Sequence, residues 1–182
     1  MVKVMNKLNE DFTNLYKRWK DGDVRKEDKI DREAVRKFIN DNNKYIDENK
    51  ITIHETCVDY DGDVIIVHKD DLAFKFGKVS GYFNVSRLGI EDNDMKFMPK
   101  YVGGYFDITD NRLKSFKGCP EEVGGSFFAR NSRNLESLEG LPKHIGGNLV
   151  ITTPHLFGDE YELPEGTVID GKINAPIKKE EK

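Results

Sequence analysis

The pattern of apolar and polar positions divides the chain into two parts. In the first 50 residues, apolar residues recur at three- and four-residue steps, the period of an amphipathic helix. The face of one predicted helix carries Met5, Leu8, Phe12, Leu15, Tyr16 and Trp19. A second predicted helix begins at Asp31, which can cap free backbone amides, with Ile30 and Val35 placed as a hydrophobic staple. We expect helices over about 5–20 and 31–40.

After residue 50 the pattern changes to short alternating stretches, and each starts at a glycine. They are GDVIIV at 62, GYFNV at 81, GYFDI at 104, GSFFA at 125, GNLVI at 147 and GKINA at 171. The steps between them run from 19 to 24 residues. An internal period of this length is typical of a solenoid, in which each repeat forms one coil stacked on the last. We predict parallel coils over 51–175 with one strand per repeat, and ITIHE at 51–55 as a possible extra strand.

The turns between these strands repeat as well. Three copies of Pro-x-x-Val or Pro-x-x-Ile precede the strands, at 99–102, 120–123 and 142–145. A Gly-Gly pair follows each of them, at 103–104, 124–125 and 146–147. Proline stiffens the return segment, and glycine permits a left-handed or closely approaching backbone. We expect the Val or Ile of each copy in the core.

The repeated unit, GGxFxIxxNxLxSLxGxPxxV, resembles a short, degenerate leucine-rich repeat of the kind found in bacterial and bacteriophage proteins. The resemblance covers 81–151 best. Asn111, followed by Leu113 and Phe116, matches the asparagine of that family and its next two core positions, and Asn134 matches it with one residue inserted. The resemblance implies a solenoid that binds protein ligands, and a phage-type relative would be a host-directed or virion-associated adaptor.

Strand alternation assigns the two faces of the repeated strands, because successive side chains point to opposite sides. The predicted inward residues are Val64, Ile66, Phe83, Val85, Phe106, Ile108, Phe127, Ala129, Leu149, Ile151, Ile173 and Ala175. The predicted outward residues are Tyr82, Asn84, Ser86, Tyr105, Asp107, Thr109, Ser126, Phe128, Arg130, Asn148, Val150 and Thr152. Exposed aromatic residues and arginine are typical of interaction hot spots.

Composition and charge narrow the classes of function. The chain of 182 residues is 37% hydrophobic and 34% charged, with a net charge of −4. Residues 1–50 carry a net of +2 and 51–182 a net of −6. This balance argues against a nucleic-acid binder, which needs a basic surface. Two cysteines give no disulfide framework, and the sequence has neither a membrane span nor a signal peptide, so we expect a cytoplasmic protein.

The sequence shows no pattern of catalytic, metal-binding or phosphate-binding residues. His54 and His68 have no cysteine or carboxylate at a ligand spacing, and no phosphate-binding loop follows a strand. The acidic runs at 59–63 and 91–94 could attract a cation, although solvated turns explain them better. We therefore predict no enzyme activity, no cofactor and no metal.

These observations predict an α+β chain: a helical region over 1–50, a leucine-rich-repeat-like β-solenoid over 51–175 and a charged tail over 176–182. The predicted function is a non-catalytic protein-protein interaction module or adaptor with a protein partner of unknown identity. The expected partner-binding residues are Tyr82, Asn84, Tyr105, Asp107, Phe128, Arg130 and Val150. Two alternatives remain open: a regulator whose N-terminal helices contact nucleic acid or a host factor, and an enzyme with an unrecognised site between the two regions.

Overall fold

A computed structural model describes residues 29–42, 44–153 and 162–175. The first predicted helix and the tail after Ala175 lie outside these residues. Helix α1 spans Arg32–Asp41, and the carboxylate of Asp31 accepts hydrogen bonds from the backbone N–H groups of Glu33 and Ala34. The predicted cap is therefore confirmed. In the described residues, three 3-10 helices cover Glu48–Lys50, Lys69–Asp71 and Asp92–Phe97.

Thirteen short strands make up the rest of the regular structure in the described part of the chain. They are β1 (Ile51–Ile53), β2 (Val58–Tyr60), β3 (Val64–Ile65), β4 (Phe76–Val79), β5 (Phe83–Asn84), β6 (Tyr101–Val102), β7 (Phe106–Asp107), β8 (Glu122–Val123), β9 (Phe127–Ala129), β10 (His144–Ile145), β11 (Leu149–Ile151), β12 (Val168–Ile169) and β13 (Ile173–Asn174).

These strands form a β-solenoid of stacked coils with two parallel sheets. Sheet 1 has the order β1-β2-β4-β6-β8-β10-β12, and sheet 2 has the order β3-β5-β7-β9-β11-β13. Each coil supplies one strand to each sheet, so we number coils 1 to 6 from the pair β2/β3 to the pair β12/β13. Neighbouring coils pair in parallel, except that β1 runs antiparallel to β2 at the start of sheet 1. The strand at 51–53 is confirmed.

The prediction of one strand per repeat is wrong. The second strand of each coil lies in the return segment, at the Pro-x-x-Val motif, where Val102 pairs with Val79 and Val123. Each of these strands has only two residues in coils 3 to 6. Two residues are too few to show an alternating pattern, and their hydrogen-bonding partners lie one whole repeat away in sequence.

The core is a set of side-chain ladders that run along the solenoid axis. Sheet 2 contributes Val64, Phe83, Phe106, Phe127 and Leu149, and all five are fully buried. Sheet 1 contributes Val79, Val102, Val123 and Ile145, which are also fully buried. The predicted inward face is confirmed in coils 1 to 5. In coil 6 it differs, because Ile173 is 50% exposed at the end of the described solenoid.

The Gly-Gly pairs form the corner between the two sheets, where consecutive coils approach closely. A Cβ at Gly124 would collide with the carbonyl oxygen of Gly103, and one at Gly125 would lie 2.8 Å from the carbonyl carbon of Gly104. The chain therefore uses glycine here for close approach of the backbone. Left-handed backbone occurs elsewhere in the coil, for example at Gly118 and Gly140, both with φ of +88°.

Of the two asparagines matched to the repeat, Asn111 occupies a buried position and bonds to the preceding coil, whereas Asn134 does not occupy the equivalent position. The side chain of Asn111 is buried, accepts from the backbone N–H of Ile90 and donates to the carbonyl of Val85 in the preceding coil. Asn134 is exposed. The equivalent buried position in the next coil is Ser132, whose hydroxyl donates to the carbonyl of Ala129.

Helix α1 closes the first end of the solenoid. Phe38 packs edge-on against Phe74 and Phe76, with ring centroids 5.4 and 5.9 Å apart. Phe76 in turn contacts Phe83 of sheet 2 at 5.1 Å. Val35 and Phe38 are thus part of the same continuous core as the coils. Among the described residues, helix α1 packs on the end of the stack and not on the outward face of the central coils of sheet 2.

Candidate protein-interaction surface

The outward side chains of sheet 2 form three rows across the coils, and we call this surface the outer face. The strand register aligns Asn84 with Asp107, Asp107 with Phe128 and Phe128 with Val150. Row 1 contains Asp63, Tyr82, Tyr105, Ser126, Asn148 and Lys172. Row 2 contains Ile65, Asn84, Asp107, Phe128, Val150 and Asn174. Row 3 contains Val67, Ser86, Thr109, Arg130 and Thr152.

Four residues of the outer face contact one another across coils 2, 3 and 4, and we call them the aromatic cluster. The rings of Tyr82 and Tyr105 stack with centroids 4.6 Å apart and planes within 7°. The Tyr105 ring meets the ring of Phe128 at 5.9 Å in a tilted arrangement. The guanidinium of Arg130 lies over the Phe128 ring, 4.4 Å from its centroid, which is cation–π geometry. These four outward residues, which the sequence places on adjacent coils, are therefore in contact with one another.

The stacking determines what the cluster presents to a partner. Because the two tyrosine rings stack face to face, their edges remain for contact with a partner. All three rings are half-buried, and Arg130 is exposed. Burial raises the pKa of Tyr105, Tyr82 and the nearby carboxylates of Asp107 and Asp63 act in the same direction, and a hydrogen bond with Asn84 opposes them. Tyr105 therefore stays a neutral phenol at physiological pH.

Polar side chains of row 1 hold the backbone of the following coil. Asp63 accepts from the N–H of Tyr82, Ser126 accepts from that of Asn148, and Asn148 accepts from that of Lys172, at distances between 2.8 and 3.0 Å. These contacts fix the spacing of the coils along the row.

Two polar residues of row 2 each accept a hydrogen bond from the backbone N–H two residues further along the chain. Asn84 accepts from the N–H of Ser86, and Asp107 accepts from the N–H of Thr109, both at 2.9 Å. Asp107 lies one coil before Arg130 on the outer face, where the two could form an ion pair within one molecule. The structure instead places the Arg130 guanidinium on Phe128, while an oxygen of Asp107 bonds to the backbone.

Sequence reasoning missed the parts of the outer face that belong to coils 1 and 6. Ile65 and Val67 are 44% and 50% exposed and extend rows 2 and 3 beyond Asn84 and Ser86. Asp63 and Lys172 end row 1 with opposite charges. The signal was present, since the same alternation begins at Gly62 and Gly171, although the predicted outward residues run only from Tyr82 to Thr152.

The two acidic runs stabilise adjacent coils. In the run at 59–63, Asp59 accepts from the N–H of Lys78, and Asp61 accepts from the hydroxyl of Ser80 at 2.6 Å. In the run at 91–94, Asp94 forms a 2.7 Å ion pair with Lys69. No group of three or more histidine, cysteine and carboxylate side chains within residues 29–42, 44–153 and 162–175 could hold a metal ion.

Two histidines each lie within hydrogen-bonding distance of a carboxylate. The imidazole of His54 lies 2.8 Å from Asp59, and that of His144 lies 2.9 Å from Asp170. His68 lines an open groove of about 500 Å³ between α1 and the end of coil 1, together with Lys37, Asp41, Asn42, Tyr45, Val67, Asp70 and Asp71. This groove is where a site between the helical region and the solenoid would lie.

Comparisons of the chain with protein-family models, with curated proteins and with solved structures find no match. The solenoid therefore rests on the structure alone, and the likeness to leucine-rich repeats stays a resemblance of sequence pattern. In the part of the chain that the structure describes, no helix combines the length and apolar character needed to cross a membrane.

Proposed function

We propose that this protein is a non-catalytic protein-interaction module that binds its partner through the outer face of sheet 2. The observation that carries the proposal is the aromatic cluster, in which three half-buried rings and one arginine form a contiguous patch on a regular sheet. A contiguous apolar patch on a soluble protein usually marks an interaction site. Aromatic residues and arginine also dominate the energy of protein interfaces.

The core does not need these side chains for its own packing. The ladder from Phe83 through Phe106 to Phe127 fills the inside of the same strands, and helix α1 directs Phe38 to the end of the stack. The predicted helix over 5–20 lies outside the described part of the chain. The outer face is thus the surface best suited to a partner.

The resemblance to short leucine-rich repeats supports a protein ligand, because repeat solenoids commonly bind proteins through an extended sheet. For a bacteriophage-type relative, the partner would be a host protein or a virion component. Fold alone does not determine function, so the proposal rests on the composition and geometry of the aromatic cluster.

The test is the double substitution Tyr105→Ala with Phe128→Ala in the full chain. Immobilised protein is exposed to bacterial lysate, and captured proteins are identified by mass spectrometry. We expect the variant to lose at least about tenfold in capture of the specific partner, since truncating hot-spot residues costs about 2 kcal/mol or more at an interface. The variant should remain folded, since neither side chain belongs to the core.

Tyr101→Ala is the matched control, because Tyr101 lies on the outward side of sheet 1 and its ring contacts Lys78 in a similar cation–π arrangement. Capture by this variant should equal that of the wild type. Unchanged capture by the double variant, or equal loss in the control, would refute binding through the outer face.

A further inference from the structure

We infer that the outer face binds a second copy of the same chain, with the two solenoids antiparallel. This inference rests on the proposed function, since it uses the same face, and it identifies a partner. The outer face has a definite order of size and charge along the solenoid axis. Row 1 begins with the acidic Asp63, continues with the two large tyrosines and the smaller Ser126 and Asn148, and ends with the basic Lys172. When this row is placed against a second copy in reverse order, the acidic end meets the basic end and large side chains meet small ones.

A twofold axis parallel to the strands, between coils 3 and 4, brings this reversed order into contact. It places coil 1 of one copy over coil 6 of the other, coil 2 over coil 5 and coil 3 over coil 4, and it keeps each row over itself. Tyr82 then lies over Asn148 of the second copy, and Tyr105 over Ser126 of the second copy. Large side chains meet small ones, as close packing at an interface requires.

The same operation pairs opposite charges. Asp63 comes over Lys172 of the second copy at both ends of row 1. Asp107 comes over Phe128 of the second copy, whose ring carries the guanidinium of Arg130. The oxygen of Asp107 that does not accept from Thr109 is placed to pair with that guanidinium. Each ion pair occurs twice, because a twofold interface is self-complementary.

The position of the axis puts the aromatic cluster near the centre of the interface. Tyr105 and Phe128 belong to the two central coils, and interface residues that dominate the binding energy cluster at the centre. The charged ends of row 1 form the rim.

The parallel arrangement, with coil 1 over coil 1, lacks this complementarity. Its twofold axis runs along the solenoid, so it reverses the strand direction and places row 1 over row 3 and row 2 over itself. Asp107 would then face Asp107 of the second copy, and Asp63 would face the apolar Val67 instead of a cation. The charges therefore select the antiparallel orientation.

The size of the outer face sets the expected strength. Six coils at about 4.8 Å span about 24 Å, and the three rows span about 13 Å. The flat area is then about 300 Å² per copy, below the roughly 800 Å² of a standard interface. We therefore expect a weak, reversible dimer, weakened further by salt because the charged pairs lie at the rim.

The experiment measures the molar mass of the full chain by sedimentation velocity across low to high micromolar concentration. The wild type should shift from monomer to dimer, and Arg130→Glu or Asp107→Arg should each weaken association at least tenfold, since each places like charges together. A one-to-one mixture of the two variants should restore association. In the mixed dimer the introduced glutamate of one copy meets the introduced arginine of the other, and the native pair reforms on the opposite side of the axis.

Two further variants keep the test sharp. Asp107→Asn retains an oxygen that can accept from Thr109, so it removes the charge with little effect on the fold, and we expect it to weaken the dimer. Ile173→Lys alters the exposed end of sheet 2 and should leave the dimer unchanged. A monomer at all concentrations, no restoration in the mixture, or a dimer lost only in Ile173→Lys would overturn the inference. If the chain is a monomer at all concentrations but the Tyr105/Phe128 double variant still loses capture of a lysate protein, only the dimer is refuted. Failure of the dimer is thus distinguishable from failure of the proposed function.

Discussion

Phe106 offers the most direct test of the assigned faces. Its side chain is fully buried in the central coils, with its ring centroid 6.1 Å from that of Phe83 and 5.5 Å from that of Phe127. Phe106→Ala would leave a cavity between two rings that belong to different coils and are fixed by their own backbone pairing. The neighbouring coils therefore have little freedom to close the space.

The expected loss follows from this environment. Truncating a buried phenylalanine to alanine costs about 3–5 kcal/mol, and sites that relax poorly lie toward the upper end. We expect about 4 kcal/mol for Phe106→Ala. For a chain of this size, each kcal/mol lowers the melting temperature by roughly 2–4 °C, so the melting temperature should fall by about 8–16 °C.

Urea denaturation followed by circular dichroism measures the change, and Tyr105→Ala is the matched control. Tyr105 is the preceding residue, of nearly equal size, and its ring is half-exposed on the opposite side of the strand. Its two aromatic contacts are worth about 0.5–1.5 kcal/mol each, so its loss should stay near about 2 kcal/mol or below. Measurements at low micromolar protein avoid any contribution from association. Equal losses in the two variants would refute the assignment of inward and outward faces.

Two further predictions concern polar groups. Asn111→Ala should destabilise the protein by about 3 kcal/mol, because it leaves several buried backbone groups without partners. Asn134→Ala is the control and should change the urea midpoint by less than the equivalent of about 0.5 kcal/mol. Similar effects of the two substitutions would contradict the assignment of the buried position. The pKa of Asp94 is lowered: partial burial alone would raise it, but hydrogen bonds from Lys69 and from the backbone outweigh burial. A carboxylate whose pKa is lower in the folded state stabilises the protein above its unfolded-state pKa, and this stabilisation is lost as the pH falls through the folded-state pKa. Asp94→Asn should therefore be less stable than the wild type at pH 7 by under about 1 kcal/mol. The urea midpoints of the two proteins should converge below about pH 4. A difference that persists in acid would mean that the carboxylate does not act through its charge.

The sequence predicted the sheet 2 strands well because their pattern is local. Each begins at a glycine and alternates for about five residues, so coil register and outward rows follow from alignment of the repeats. Phe83, Phe106 and Phe127 align as predicted. The second strand of each coil could not be predicted in the same way, since a pair such as Tyr101–Val102 is defined only by parallel hydrogen bonds to other repeats.

The candidate surface could be predicted in part. Alternation identified Tyr82, Tyr105 and Phe128 as outward neighbours, but ring stacking and the placement of Arg130 over Phe128 depend on rotamers that no sequence pattern encodes. The incorrect assignment of Asn134 to the buried asparagine position has a different cause. Residue type favoured the asparagine, whereas the 21-residue step from Asn111 points to Ser132, which the structure buries.

The Gly-Gly corners have a consequence for how this protein could change over generations. Because each corner repeats the backbone of the one before it, removal of residues 104–124 would join Gly103 directly to Gly125 and leave an equivalent corner. The solenoid would lose one coil, and each remaining coil would still meet a neighbour of the same shape. Unequal recombination within the gene could thus shorten or lengthen the outer face in steps of about 4.8 Å. Removal of this particular coil would also remove Tyr105 and Asp107, so the length of the outer face and its binding residues would change together.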